Sequence, residues 1–449
     1  MTSALVRHTT QSRRHLLGGT LTALAAPALL AACGAQPAAQ PGLSQEAKPT
    51  TLEWFGKLKG VAQNDIDAFV QQYKTARPNV TLNVTSVSNT AEGKAKLTSY
   101  AAAGTPVDVV STFVSIPTLR TLNGGYSLND YVKRDKFDTS QFAQNTMRGV
   151  EVKGKILALP HAYAGNELVF VANKSLFQKY GVPLPAADWK NPWGWQQFRE
   201  AMKKLTNFTT NPPVAGTSRF GTIYNVPPMW GARWTSEDGR TILADKPEML
   251  QAWTEYYDMV VKDRSTRFSP GAPADMGGEN ASFLAGKGAT LTICCAVPTT
   301  TVLFKDQGID WAFIPFPKAK EAVADIGGTV IAIWSQTKAP DESWRFLRWS
   351  IEEGRLANLE QRMPSQTKAI EPYVQKFYGS TPDVRPNLLL QAPDHGLPPD
   401  ALWQSPAADQ ADAAITAAFV DVGKGNKTVQ AALGELKPQL QALLDQYRD

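Results

Sequence analysis

TLEWFGKLKGVAQNDIDAFVQQYKTARPNVTLNV, residues 51–84, decides the fold. Thr51-Leu52-Glu53-Trp54-Phe55 reads as a short strand ending at Gly56. Ile66, Phe69, Val70 and Tyr73 then recur at i, i+3, i+4 and i+7, one apolar face of a helix. Asn64 suits its N-cap, and Pro78 stops it. Val80, Leu82 and Val84 alternate with Thr81, Asn83 and Thr85, which predicts a second strand. Leu97, Tyr100 and Ala101 place another helix before Gly104, and Val107–Phe113 reads as a third strand. Strand, helix, strand, helix, strand is the order of a parallel sheet with helices on its faces.

Further along, Trp195, Phe198, Met202 and Leu205 share a helix face, as do Met249, Trp253, Tyr256, Tyr257 and Val260. Residues 207–245, rich in Pro, Gly, Thr and Asn, read as long loops. Strand character returns at 289–297, 311–314 and 329–334. The end is helical, with Trp344, Leu347 and Ile351 on one face and Leu433, Leu436, Leu440 and Leu444 on another; Asp341 and Thr428 suit the two N-caps. A strand block resuming after a helical stretch implies that the chain crosses between lobes more than once.

The N-terminus carries a different signal. Ser12-Arg13-Arg14-His15-Leu16-Leu17 precedes an apolar stretch that ends in Leu30-Ala31-Ala32-Cys33. A basic segment, a short apolar segment and a small-residue cleavage site make an export signal, and the paired arginines point to the twin-arginine route. Leu16–Ala32 contains Gly18, Gly19 and Pro27 and falls short of the roughly 20 apolar residues a span needs. Leu-Ala-Ala-Cys resembles the lipobox of bacterial lipoproteins, which implies lipidation of Cys33 and removal of residues 1–32. Residues 33–50, rich in Ala, Pro and Gln, then read as a lipidated flexible tether.

Loss of Arg7, Arg13 and Arg14 with the signal leaves 43 basic against 41 acidic side chains, +2 instead of +5. No Lys/Arg run follows, so nucleic acid is not an expected partner. From residue 51 the chain has 399 residues, too many for one core and suited to two lobes. Cys294 and Cys295 cannot form a disulfide scaffold. No G-x-S-x-G, H-E-x-x-H, Walker or C-x-x-C pattern occurs, and the four histidines (two of them in the signal) do not make a metal site. His395 reads as a solvated loop residue. No enzyme, cofactor or metal is therefore expected, although paired carboxylates can cleave glycans without any linear motif.

From Ala101-Ala102-Ala103-Gly104-Thr105-Pro106-Val107-Asp108-Val109 onward the chain resembles the extracellular solute-binding proteins of ABC importers, in the large group that includes maltose-binding protein. Gly154-Lys155-Ile156-Leu157-Ala158-Leu159-Pro160, then Val171-Ala172-Asn173-Lys174-Ser175-Leu176-Phe177, Tyr180-Gly181-Val182-Pro183 and Trp195-Gln196-Gln197-Phe198 continue the resemblance. Phe283-Leu284-Ala285-Gly286-Lys287-Gly288 and Phe313-Ile314-Pro315-Phe316-Pro317 extend it. Val107, inserted between proline and aspartate, departs from the usual pattern.

The resemblance implies an α/β, two-lobed periplasmic-binding-protein fold of the type II kind. Each lobe would be a mainly parallel sheet flanked by helices, with a hinge and a ligand cleft. Residues 51–163 and about 297–340 are expected in lobe I, and about 164–296 and 341–449 in lobe II. The implied role is a lipid-anchored, extracytoplasmic, monomeric receptor that passes a small solute, foremost a sugar, to ABC permease subunits. Alternatives are a lipid-anchored glycan-active enzyme, or a receptor of the same fold for a polyol or glycerol phosphodiester.

Sugars present C–H faces to aromatic rings and hydroxyl edges to polar groups. The sequence has 12 Trp. Trp54, at a strand end, and Trp230 and Trp234, in the Pro/Gly-rich stretch, are candidate platforms. Asp108 and Thr112 lie in or near the third strand. Tyr163, Asn166 and Glu167 follow Pro160, where the resemblance places a crossover. Gly327 and Gly328 allow close backbone approach, and Arg362 completes the candidate set.

Overall fold

The computed structural model describes residues 49–163, 168–220, 224–293, 298–324, 328–397 and 399–447. The export signal, Cys33, most of the tether, and Cys294 and Cys295 lie outside the described residues. Among the described residues, no helix is long and apolar enough to cross a membrane.

Eleven strands are described. They are β1 (Thr50–Gly56), β2 (Val80–Ser86), β3 (Val109–Ser111), β4 (Glu151–Val152), β5 (Lys155–Ile156), β6 (Leu159–Tyr163), β7 (Val169–Asn173), β8 (Ala215–Arg219), β9 (Gly288–Ile293), β10 (Trp311–Ile314) and β11 (Gly328–Ile333). One sheet has the order β2-β1-β3-β11-β6, the second β10-β7-β9-β8, and β4 and β5 form a small hairpin. In the first sheet only β11 runs against its neighbours; in the second only β7 does. All strands but one in each sheet thus run the same way, and the molecule is an α/β, two-lobed periplasmic-binding-protein fold.

Strand alternation explains how β1 serves two helical layers. Leu52 and Trp54 face one core with Ile66, Phe69 and Tyr73. Phe55 faces the opposite core with Leu97, Val110 and Phe113. The first helix spans Gln63–Ala76, two residues ahead of the expected start, because the Ala62 carbonyl already accepts from the amides of Asp65 and Ile66. The third strand is shorter than expected, only Val109–Ser111.

Three further expectations change. Residues 207–245 are not all loop, since they contain β8 and a Val226–Met229 helix. The sequence of β8, Ala-Gly-Thr-Ser-Arg, has no apolar alternation. Its small residues instead permit close packing: a Cβ on Gly216 would lie 2.3 Å from the Met202 carbonyl oxygen. The expected lobe boundaries also shift. β10 pairs with β7 in the second sheet, whereas β11 lies in the first. The Pro340–Ile351 helix packs on the first sheet, where Phe346 meets Trp54 at 5.4 Å. The buried Glu342 carboxylate fixes it there, accepting from Tyr73 Oη at 2.7 Å and from Arg77 Nη2 at 2.7 Å. Asp341 lies in the first turn instead of capping the helix, whose N-cap is Ala339. Thr428 does cap the last helix, its hydroxyl accepting from Ala431 N at 3.1 Å.

Candidate functional site

β3 ends in a strained turn. Thr112 has φ +68°, and the Phe113 amide donates to Ser111 O at 2.7 Å. An i to i+2 bond around a positive φ is the rare, costly hand of γ-turn, and a β-branched residue there is a genuine outlier. Such strain concentrates where function requires a fixed geometry. The turn aims the Thr112 hydroxyl at Glu360 Oε1, to which it donates.

Glu360 follows the Arg355–Leu359 helix, and its side chain is 3% exposed. Besides Thr112, it accepts from His161 Nε2 at 3.2 Å and forms an ion pair with Arg362 Nε at 3.2 Å. His161 lies on β6 and is buried. Its Nε2 is also 3.3 Å from Thr329 Oγ1, which donates to the Ala162 carbonyl. With a carboxylate facing it, Nε2 is the protonated nitrogen, an assignment made from the hydrogen-bond network. A buried carboxylate needs this density of donors.

Beside this cluster lie polar atoms with no partner. His161 Nδ1, Tyr163 Oη and Thr146 Oγ1 are buried and make no hydrogen bond. Thr146 is close enough to Tyr163 to favour the ionised phenol, yet the two hydroxyls do not reach bonding geometry. Burial dominates and pushes the Tyr163 phenol up to about 12, with the Asp394 charge adding to the rise. A Cβ on Gly328 would contact the Thr146 methyl at 3.5 Å. Buried polar groups are normally hydrogen-bonded, and these three are exceptions among the described residues.

The structure brings Thr112 and Arg362 together through Glu360, and places Tyr163 opposite Gly328 in the sheet register. The other described candidates go elsewhere. Trp54 is 1% exposed, packs against Phe69 and Phe346, and donates from Nε1 to Ser111 Oγ at 2.9 Å. Asp108 accepts from the Glu53 amide at 2.8 Å and from the Thr337 hydroxyl, which ties backbone segments together. Trp230, 3% exposed, sits edge-on to Trp195 at 4.8 Å. Trp234, 2% exposed, packs with Trp253 and Trp403. Asn166, Glu167 and Gly327 lie outside the described residues. His395 is not a solvated loop residue: it stacks on Trp189 at 4.8 Å.

Glu360, His161, Thr146 and Thr329 escaped the sequence reading. Arg362 was a candidate, and Glu360 stands two residues ahead of it. Nothing local marks a glutamate after a short helix as buried. Among the described residues, no group of three or more His, Cys, Asp or Glu is placed to hold a metal.

The profile described as "Bacterial extracellular solute-binding protein" matches residues 68–371, more than half of the chain. The chain therefore belongs to that family, whose members bind solutes outside the cytoplasm. Solved structures share its fold. The ABC substrate-binding protein from Listeria monocytogenes in complex with cycloalternan matches at TM-score 0.72 and 20% identity, over 89% of this chain and 100% of that one. The cyclic alpha-maltosyl-1,6-maltose binding protein from Arthrobacter globiformis matches at TM-score 0.69 and 18% identity, over 89% and 100%. A sugar-binding protein from Xanthomonas citri matches at TM-score 0.70 and 14% identity, over 88% and 98%.

Proposed function

We propose that this chain is the lipid-anchored receptor of an ABC importer and that it captures a sugar, foremost an oligosaccharide, between its lobes. The observation that carries the reading is the set of open hydrogen-bonding atoms on His161, Tyr163 and Thr146 beside the Glu360–Arg362 pair. They are hydrogen-bonding groups next to a carboxylate, a setting that suits hydroxyls better than phosphate. Structures of the same fold carry carbohydrate in their names, which supports the same class of solute. Thr112, Tyr163, Gly328 and Arg362 are the proposed contacts, with Asn166, Glu167 and Gly327 on the adjoining segments. Closure of the lobes would shift the chain to a form that permease subunits recognise, because the solute favours the closed state.

A thermal-shift screen over linear and cyclic gluco-oligosaccharides, polyols and glycerol phosphodiesters tests this, since a solute that binds only the folded chain raises the melting temperature. A sugar hit recovered intact by mass spectrometry supports the receptor; a hydrolysed one supports a glycan-active enzyme. A hit confined to glycerol phosphodiesters would overturn the sugar reading. Lipidation at Cys33 is checked by palmitate labelling, which Cys33→Ser should abolish.

A further inference from the structure

The Ala401–Gln404 helix belongs to the core of the second sheet but reaches across to the first. Its N-cap, Asp400, accepts from Leu402 N at 3.0 Å, Trp234 N at 2.9 Å and Thr235 Oγ1 at 2.8 Å. Trp403 lies against Tyr224 at 4.7 Å and Trp234 at 6.4 Å. The helix is thus fastened to the second core at one end.

Its other end meets the first lobe through two reciprocal caps. The Gln404 side-chain Nε2 donates toward the carbonyls of Arg148 at 2.9 Å and Gly149 at 3.2 Å. These are terminal carbonyls of the Gln144–Val150 helix, which have no partner inside their own helix. In return, Arg120 Nη1 donates to the Gln404 carbonyl at 2.7 Å. Arg120 lies on the Ile116–Thr121 helix, whose Ile116 and Leu119 pack in the first lobe's core. Asn145 Nδ2 to Gly396 O at 3.0 Å and Lys94 to Asp409 at 2.6 Å bridge the same seam. Asp409 is mostly exposed, so that ion pair contributes little.

We infer that Gln404 and Arg120 form a latch that holds the lobes in the arrangement described here and so sets how readily they part. This rests on the lobe-closure reading above and goes beyond it by naming what biases closure. Carbonyls released when the lobes part are taken up by water, so each cap is worth only a modest factor, about five- to tenfold in the ratio of joined to parted lobes. A bias of that size lets solute binding, instead of the latch alone, decide the state.

Small-angle scattering on the full chain, with Cys33→Ser to keep it unlipidated and no solute added, tests the latch. Gln404→Ala and Arg120→Ala should each raise the radius of gyration above that of the parent, and the double variant should raise it further. Arg120→Lys keeps a cation and should recover part of the compact form. Equal radii for the parent and the double variant would overturn the proposal. So would a fall in melting temperature with no expansion, the mark of a merely structural contact. Because no solute is present, a failure here stays separate from a failure of the sugar screen.

Discussion

His161 Nε2 and Glu360 Oε2 lie 3.2 Å apart across 199 residues of sequence, and both side chains are almost wholly removed from water. Arg362 and Thr112 complete the carboxylate's partners. The pair joins β6 to the segment after the Arg355–Leu359 helix, where the first sheet meets the second core.

Glu360→Gln keeps the shape but removes the charge that His161 and Arg362 face. Breaking a buried pair in this way should cost about 3 kcal/mol of stability, read as a lowered urea midpoint with an unchanged slope. Solute affinity should fall with it in calorimetry. A variant as stable as the parent would show that the cluster is solvated in solution.

Thr112 separates backbone strain from its hydrogen bond. Thr112→Ala loses the bond to Glu360 and keeps φ +68°; Thr112→Gly loses the bond and relieves the strain. The glycine variant should be the more stable of the two by about 1 kcal/mol. The reverse order in chemical denaturation would exclude strain at this turn.

Asp135 makes the first lobe sensitive to acid. Arg134 beside it holds its carboxyl down to about 2, helped by Trp344 Nε1 at 2.7 Å and the Arg348 charge. A depressed folded-state pKa stabilises above the unfolded value of 3.8 and is lost as pH falls toward 2. Part of the site is solvated, so the contribution is about 1–2 kcal/mol. Asp135→Asn should lower the melting temperature at pH 7 and flatten its decline between pH 4 and pH 2. An unaltered pH profile would remove Asp135 from the acid response.

Trp230 offers a choice between packing and solute stacking. Against Trp195 in the second core it should cost about 3–5 kcal/mol on truncation to alanine. Trp230→Phe retains an apolar ring there and should leave solute affinity within about twofold. A large loss of affinity in a phenylalanine variant of normal stability would return the ring to the binding surface.

Much of the architecture was legible in short windows. The alternation at Val80–Val84 and the helical spacing of Ile66, Phe69 and Tyr73 are local properties, and the structure places β2 and the first helix there. Boundaries were less legible: Asp341 looks like a cap but sits inside a helix that starts at Pro340. The binding candidates fared according to their reach. Thr112 and Arg362 meet in one cluster, while Trp54, Trp230 and Trp234, chosen for ring chemistry, lie in cores.

The sequence by itself determined the order of the first strands and helices, the family pattern from Gly154 to Phe198, and the expectation of an exported, tethered chain. Periodicity reports which face of a segment is apolar, and that suffices for these. Only the tertiary structure decided that β10 and β11 go to different sheets and that Pro340–Ile351 packs on the first. It alone placed Thr112 against Glu360, 248 residues away. The reason is physical. An apolar face states that it must be buried, not against what, and a polar side chain finds its partner only once distant chain crossings have fixed which segments share a seam.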